Sequence, residues 1–136
     1  MNEKKTNKLK ILNDPIYGFI LIPNALIFDL IQHPYFQRLR RISQMGLSHL
    51  VYPGAHHTRF HHALGCMHLM QKAIRILKFK GVEISDEEAN ALYIAILLHD
   101  IGHGPFSHAL EQSIATGIHH EVISLKFMEV LNEEFN

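Results

Sequence analysis

The chain has 136 residues, and 47% of them are hydrophobic, which is enough for the core of one globular domain. Its 13 basic and 13 acidic residues cancel, which argues against nucleic acid as a partner, and no stretch reaches the roughly 20 apolar residues of a membrane span. A single cysteine excludes an internal disulfide and favours a reducing, cytoplasmic location.

Residues 1–23 predict a polar tail followed by a small β-hairpin. Apolar residues at 11–12 and 19–22 flank a turn-rich string, Asn13-Asp14-Pro15-Ile16-Tyr17-Gly18. Everything after this hairpin has helical periodicity, so residues 24–136 are expected to form one further domain. The predicted fold class is therefore mainly α, a helical bundle preceded by a β-hairpin.

Start and stop signals divide the second region into helices. Asn24 caps a helix to about Gln32, a second helix runs from Pro34 to Met45, and Thr58 caps a long helix to Phe79. A capping box at 85–88 begins a helix that ends at 99–100. Two further helices are predicted over 106–115 and 119–133.

The helix ending at His99 and Asp100 indicates a metal site. Residues 91–98 have no polar face, so this helix is expected to be surrounded by other elements, with its C-terminal end deep in the fold. An imidazole and a carboxylate there need a partner or a cation, and His62 opens the long helix upstream. His62, His99 and Asp100 suit one divalent ion of Mn, Fe, Zn, Ni or Mg. A hydrogen-bonded polar cluster without metal is the alternative.

Four separated strings resemble one family, the deoxynucleoside triphosphate triphosphohydrolase branch of the HD-domain phosphohydrolases. They are Asn13-Asp14-Pro15-Ile16-Tyr17-Gly18, Pro34-Tyr35-Phe36-Gln37-Arg38-Leu39-Arg40, Tyr52-Pro53-Gly54-Ala55 with Arg59-Phe60, and His99-Asp100-Ile101-Gly102-His103-Gly104-Pro105-Phe106-Ser107-His108. The resemblance runs from about residue 10 to residue 121. It implies an HD-domain helical bundle that hydrolyses a deoxynucleoside triphosphate to the deoxynucleoside and triphosphate.

The resemblance also implies roles for residues outside the metal ligands. His108 is the candidate general acid, which Glu111 orients, while His103 and His120 line the catalytic pocket. Arg59 is expected to hold the α-phosphate. Gln44 matches a glutamine that contacts the deoxyribose 3′-hydroxyl, although an exposed helix glutamine is the alternative reading.

A regulatory nucleotide site between subunits is implied as well, with residues at four positions: Lys10, Asn13, Gln37 and Arg40. The chain also departs from the family pattern at two places, one in the regulatory site and one in the metal site. Gln32 replaces the aspartate that recognises guanine, which argues against activation by GTP. No aspartate follows Asp100 to complete the metal shell, so the missing ligand is expected beyond Asn136 and the HD domain is expected to be incomplete.

The expected function is thus metal-dependent hydrolysis of deoxynucleoside triphosphates by a homo-oligomer, with a nucleotide activator implied by resemblance. Two alternatives stay open. One is another HD-domain activity, a nucleotidase or a phosphodiesterase. The other is a nucleotide-sensing module without catalysis, which the missing aspartate and Gln32 favour.

Overall fold

The computed structural model describes residues 10–106, 108–114 and 116–135. This part of the chain is mainly helical with one two-stranded antiparallel sheet, which confirms the predicted fold class. The strands are β1 (Ile11–Asp14) and β2 (Gly18–Leu21). The α-helices are α1 (Ala25–Gln32), α2 (Pro34–Gln37), α3 (Arg59–Phe79), α4 (Asp86–Leu98), α5 (His108–Ser113) and α6 (His120–Phe135).

The predicted hairpin pairs Ile11 with Leu21 and Asp14 with Gly18. The carboxylate of Asp14 forms its turn, because it accepts hydrogen bonds from the backbone N–H groups of Ile16 and Tyr17 at 2.8 and 2.9 Å. Gly18 has a φ of 73°, which a residue without Cβ adopts at little cost. The predicted polar tail before residue 10 lies outside the described residues.

The helix predicted from Pro34 to Met45 is wrong in its second half. After α2 the chain forms a 3-10 helix, Arg38–Arg41, and becomes extended at Ile42. Long-range pairing explains the change: the Ile42 carbonyl accepts the N–H of Arg59 at 2.9 Å, and Ser43 forms an antiparallel bridge with Thr58. Residues 42–44 therefore lie against the start of α3.

Local capping signals place the two longest central helices correctly. The hydroxyl of Thr58 accepts the backbone N–H of His61 at the start of α3, and Ser85 and Glu88 form the predicted capping box of α4. The helices α3 and α4 pack against each other. Their contact brings the first turn of α3 near the last turn of α4.

The expectation that α4 is surrounded on all sides is wrong for the described residues. Leu97 and Leu98 at its C-terminal end are buried, whereas Leu92 is 40% exposed and Ala91 and Ala95 are also exposed. Only the end that precedes His99 is enclosed. That end of α4 lies against the hydrophobic core of the described residues. The core includes apolar side chains of the hairpin, the helices and the turn after α4: Ile20, Ile27, Phe36, Leu39, Phe60, Met67 and Ile101.

The last two predicted helices are present with shifted ends. The first, predicted over 106–115, is the shorter α5, and residues 107 and 115 lie outside the described residues. The second is α6, which extends two residues beyond its predicted end at 133. Among the described helices, none has both the length and the apolar character needed to span a membrane.

Candidate metal centre and active site

The three predicted metal ligands come together at the junction of α3 and α4. Nε2 of His62 lies 3.7 Å from one carboxylate oxygen of Asp100, and Nε2 of His99 lies 3.4 Å from the other. The two imidazole rings are 5.4 Å apart between centroids. Each imidazole nitrogen thus approaches a different oxygen of Asp100, and imidazole and carboxylate are donors that suit a divalent first-row metal.

The protonation of the two imidazoles fits a metal centre. Burial lowers the pKa of His62, although the charge of Asp100 opposes this shift, so the ring is neutral near pH 7 as a metal ligand requires. Nδ1–H of His99 donates a hydrogen bond to the Ile96 carbonyl at 2.6 Å, which fixes the ring. Its unprotonated Nε2 is then the nitrogen that can bind a metal. The residues present thus fit a divalent cation.

Arg59, the predicted phosphate ligand, lies beside this centre. Its guanidinium donates to Asp100 at 2.6 Å, and the side chain is 5% exposed. Burial lowers the pKa of Arg59, and the Asp100 carboxylate opposes that shift. The guanidinium thus already contacts the carboxylate that is the predicted metal ligand, and its role toward phosphate stays a prediction.

Cys66 is a site residue that the sequence reasoning missed. Its Sγ lies 3.6 and 3.7 Å from the two imidazole nitrogens of His62, one helical turn earlier in α3. Burial raises the pKa of its thiol, and the charge of Asp100 adds to this. The ligand atoms of His62, Cys66 and His99 all lie within 4.8 Å of one another. The i, i+4 spacing from His62 was the available signal.

A second cluster of titratable side chains adjoins the metal centre through His103. This side chain is 2% exposed, and its Nε2 lies 3.7 Å from Asp100. Its ring stacks on that of His120 at 3.8 Å between centroids with a 17° tilt. Burial, followed by the charge of Arg59, lowers the pKa of His103 to about 4, so this imidazole is neutral near pH 7.

Glu111 joins two histidines of the same cluster. One carboxylate oxygen accepts Nδ1–H of His120 at 2.8 Å, and the other lies 3.3 Å from Nδ1 of His108. Burial raises the pKa of Glu111, but the hydrogen bonds from His108 and His120 together outweigh it and bring the pKa to about 2. Glu111 is therefore ionised and orients both rings, whereas the sequence predicted this role toward His108 alone. The four predicted catalytic residues thus form one group.

Gln44 lies between two clefts. One, of about 600 Å³, is lined by Gln44, Met45, Phe106 and His108 among others. The other, of about 640 Å³, is lined by Gln44 and His62 together with the hairpin turn. Gln44 thus borders both the metal centre and the histidine cluster, and its backbone N–H donates to the His57 carbonyl at 3.1 Å.

The residues predicted for a regulatory nucleotide site have partners within the chain. The Lys10 ammonium lies 4.9 Å from the centre of the Phe28 ring. The amide nitrogen of Gln37 donates to the Ile31 carbonyl, and its oxygen accepts from Arg40, whose guanidinium lies 3.8 Å from the Phe60 ring. Asn13 lies in β1 opposite Phe19. Their regulatory role stays a prediction.

Comparisons with known proteins agree with this geometry. Residues 59–135 match the HD domain family. The chain is 42% identical over 109 residues to an uncharacterized protein, YwfO, of Bacillus subtilis, covering 79% of this chain and 25% of that protein. It is 43% identical over 105 residues to the human deoxynucleoside triphosphate triphosphohydrolase SAMHD1, covering 76% of this chain and 17% of that protein.

A solved structure gives the same result for the fold. A phosphohydrolase from Bacteroides thetaiotaomicron superposes with a TM-score of 0.92 at 58% sequence identity, covering 95% of this chain and 32% of that one. The chain thus spans about a quarter or less of the curated relatives named above and about a third of this structure. With residues 59–135 matched and the histidine and aspartate ligands brought together, the chain belongs to the HD-domain superfamily of phosphohydrolases.

Proposed function

We propose that this chain provides the metal-binding and proton-transfer residues of an enzyme that hydrolyses deoxynucleoside triphosphates to the deoxynucleoside and triphosphate. The observation that carries the proposal is the contact between two groups: the ligand set His62, His99 and Asp100 lies directly beside the cluster of Glu111 and its histidines. The similarity to human SAMHD1, which is named for this reaction, supports the choice of substrate.

His62, His99 and Asp100 hold the divalent ion, which when bound polarises a phosphate oxygen and lowers the pKa of a bound water. Manganese, iron, zinc, nickel and magnesium all remain candidates for this ion. Arg59 lies one helical turn from His62 and offers a planar guanidinium to the charge that develops on the α-phosphate. Gln44 contacts the sugar hydroxyl from the edge of the cleft.

In the proposed reaction, water attacks the α-phosphorus and the bond from that phosphorus to the 5′-oxygen breaks. His108 gives its proton to the departing 5′-oxygen, and Glu111 holds the imidazole in position. His120 also donates a hydrogen bond to the Glu111 carboxylate. The neutral ring of His103 stacks on His120 and lies between it and Asp100. The products are the deoxynucleoside and an intact triphosphate.

The deciding experiment separates the products of each of the four deoxynucleoside triphosphates by ion exchange, using the full chain with Mn²⁺ or Mg²⁺. Deoxynucleoside plus triphosphate is the expected result. Inorganic phosphate as the product would instead indicate a nucleotidase. Tight nucleotide binding with no product would indicate a sensing module.

The role of His108 gives a sharper test. His108→Ala should lower kcat by about 100-fold or more while nucleotide affinity stays within about twofold, because general acid catalysis contributes to the reaction step and not to binding. His119→Ala is the control, since His119 is an exposed histidine that directly precedes α6. An unchanged kcat in His108→Ala would remove the proposed general acid.

The proposed regulation is a nucleotide site that involves Lys10, Asn13, Gln37 and Arg40 and is not activated by GTP. Gln32, at the end of α1, lacks the carboxylate that accepts both donors of the guanine edge. Adding GTP should therefore leave the rate with other nucleotides unchanged, and the assay above measures this directly.

A further inference from the structure

Arg38 reaches from the 3-10 helix at 38–41 to the turn that follows the predicted metal ligands. One terminal nitrogen of its guanidinium donates to the His103 carbonyl at 2.8 Å, and the other donates to the Ile101 carbonyl. One planar group thus binds two carbonyls of the same turn. From the sequence, Arg38 is part of a basic stretch and is not predicted to act at the catalytic site.

The Arg38 side chain is itself fixed in place. Its guanidinium carbon lies 4.9 Å from the centre of the Phe127 ring in α6, at a distance typical of a cation–π contact. Burial lowers the pKa of Arg38, and its Nε is buried without a hydrogen-bond partner in the described part of the chain. The two carbonyl bonds and the ring contact therefore stabilise the charge of this half-buried guanidinium.

The opposite side of the turn is fixed by Ser124 of α6. This buried hydroxyl accepts the N–H of Gly102 at 2.8 Å and donates to the His99 carbonyl at 3.1 Å. Backbone groups of the turn are thus held from both sides. The side chain whose position depends on the Arg38 bonds is His103, because its own carbonyl is one of the two acceptors.

We propose that Arg38 is a positioning residue that sets His103 between Asp100 and His120 by holding the carbonyls of Ile101 and His103. The effect on turnover rests on the function proposed above, whereas the effect on the ring of His103 does not. Arg38 is distinct from the substrate-facing residues, since it contacts the far side of the turn and acts only through His103.

Arg38→Lys in the full chain tests the proposal. Lysine keeps the charge but cannot hold two carbonyls in a fixed planar fork. Long-range ¹H–¹⁵N histidine spectra, recorded without metal or substrate, should show shifted ring resonances for His103 and His120 and unchanged ones for His49 and His68. With substrate, kcat should fall about 10- to 100-fold while KM stays within about twofold, as expected for misplaced reacting groups.

Arg41→Lys is the matched control, because Arg41 lies in the same 3-10 helix and is exposed. It should leave the spectra and kcat unchanged. If Arg38→Lys is folded by circular dichroism and its His103 resonances match those of the unaltered chain, the proposal is overturned.

A second variant decides the matter if Arg38→Lys does not fold. Phe127→Leu removes the ring beneath the guanidinium, together with its edge contact to Tyr35, and keeps an apolar side chain against the core. It should shift the His103 resonances in the same direction by a smaller amount; unchanged resonances would overturn the proposal. A chain that hydrolyses no nucleotide but shows these shifts supports the role of Arg38 and rejects the proposed function.

Discussion

Asp100 is the residue on which the candidate site converges. Its two carboxylate oxygens lie 2.6 to 3.7 Å from nitrogen atoms of Arg59, His62, His99 and His103. Only Arg59 among these carries a permanent positive charge. The ionised carboxylate is therefore stabilised mainly by Arg59 as long as no cation is bound.

This arrangement predicts a metal-dependent effect of Arg59→Met. Without metal the variant leaves the Asp100 charge half-buried and uncompensated, which should lower the free energy of unfolding by about 3 kcal/mol. With saturating Mn²⁺ the loss should be smaller, because the cation replaces the guanidinium. Urea unfolding with and without Mn²⁺ measures both values, with the exposed Arg75→Met as control. Equal losses in the two conditions would contradict this explanation.

Glu111 predicts a pH dependence of stability. Its pKa is about 2 in the folded chain against an ordinary 4.5, so it contributes stability that is fully present above about pH 4.5. That contribution is lost progressively as the pH falls through about 2, below which the carboxylate is protonated in both states. The difference in unfolding free energy between the unaltered chain and Glu111→Gln should thus shrink from pH 5 to pH 2. The exposed Glu133→Gln is the control, and a difference that is constant with pH would refute the effect.

At the scale of residues, the sequence was sufficient to predict which side chains of the motif lie close together, whereas their role as metal ligands stays a prediction. His62, His99 and Asp100 come together because His62 lies in the first turn of α3, which Thr58 caps, and this turn lies near the C-terminal end of α4. Cys66 and Arg38 were missed for different reasons. Cys66 required recognition of its spacing from His62, whereas the inward direction of Arg38 depends on a 3-10 helix that local propensity does not specify.

At the scale of elements, predictions held where the determinants are local. Asn24, Thr58 and Ser85 begin their helices through bonds to backbone groups three residues ahead. The helix predicted to reach Met45 failed because residues 42–44 pair with the segment before α3, far along the chain. Such pairing overrides helix propensity and leaves no local signal.

Two glycines predict opposite effects of the same substitution. A methyl group at Gly102 would lie 2.3 Å from the His120 carbonyl oxygen and 2.4 Å from the Ser124 nitrogen, both backbone atoms of α6. Gly102→Ala should therefore displace α6 and cost about 3 kcal/mol of unfolding free energy. Because the turn carries Asp100, metal affinity should fall as well.

Gly65→Ala is the matched variant within α3. Its methyl group would lie 3.0 Å from Cε2 in the ring of Tyr17, a side chain that is 36% exposed and, unlike the backbone of α6, can shift by a few tenths of an ångström. Alanine also improves helix propensity by about 1 kcal/mol, so this variant should be neutral or stabilised. Urea unfolding of both proteins checks the pair. If both variants lose a similar free energy of unfolding, the close approach of α6 cannot be the reason that residue 102 is glycine.

At the scale of the whole molecule, the ligand set joins two helices that are separate in sequence. His62 lies in the first turn of α3, and His99 and Asp100 follow α4. A divalent ion held by all three should raise the free energy of unfolding by about 2.7 kcal/mol at 100 times its dissociation constant. Thermal unfolding during a Mn²⁺ titration measures this gain.

His62→Ala should abolish the metal-dependent gain, and His49→Ala should retain it, because His49 lies in a surface 3-10 helix away from the ligands. A gain that survives His62→Ala would place the ion elsewhere.

The enclosure of α4 was the whole-molecule expectation that failed. An apolar run specifies a preference for burial, but what covers it depends on packing partners that the run itself does not encode.

The bond between Gly102 and Ser124 also has a consequence for how this fold can vary. It closes a loop over the intervening residues, which include α5 with His108 and Glu111. The entropy of closing a loop rises slowly with its length, by about 0.6 kcal/mol for each doubling. Insertions or replacements inside this loop therefore disturb its two anchored ends little. The residues proposed for proton transfer can therefore change while the proposed metal ligands stay in place.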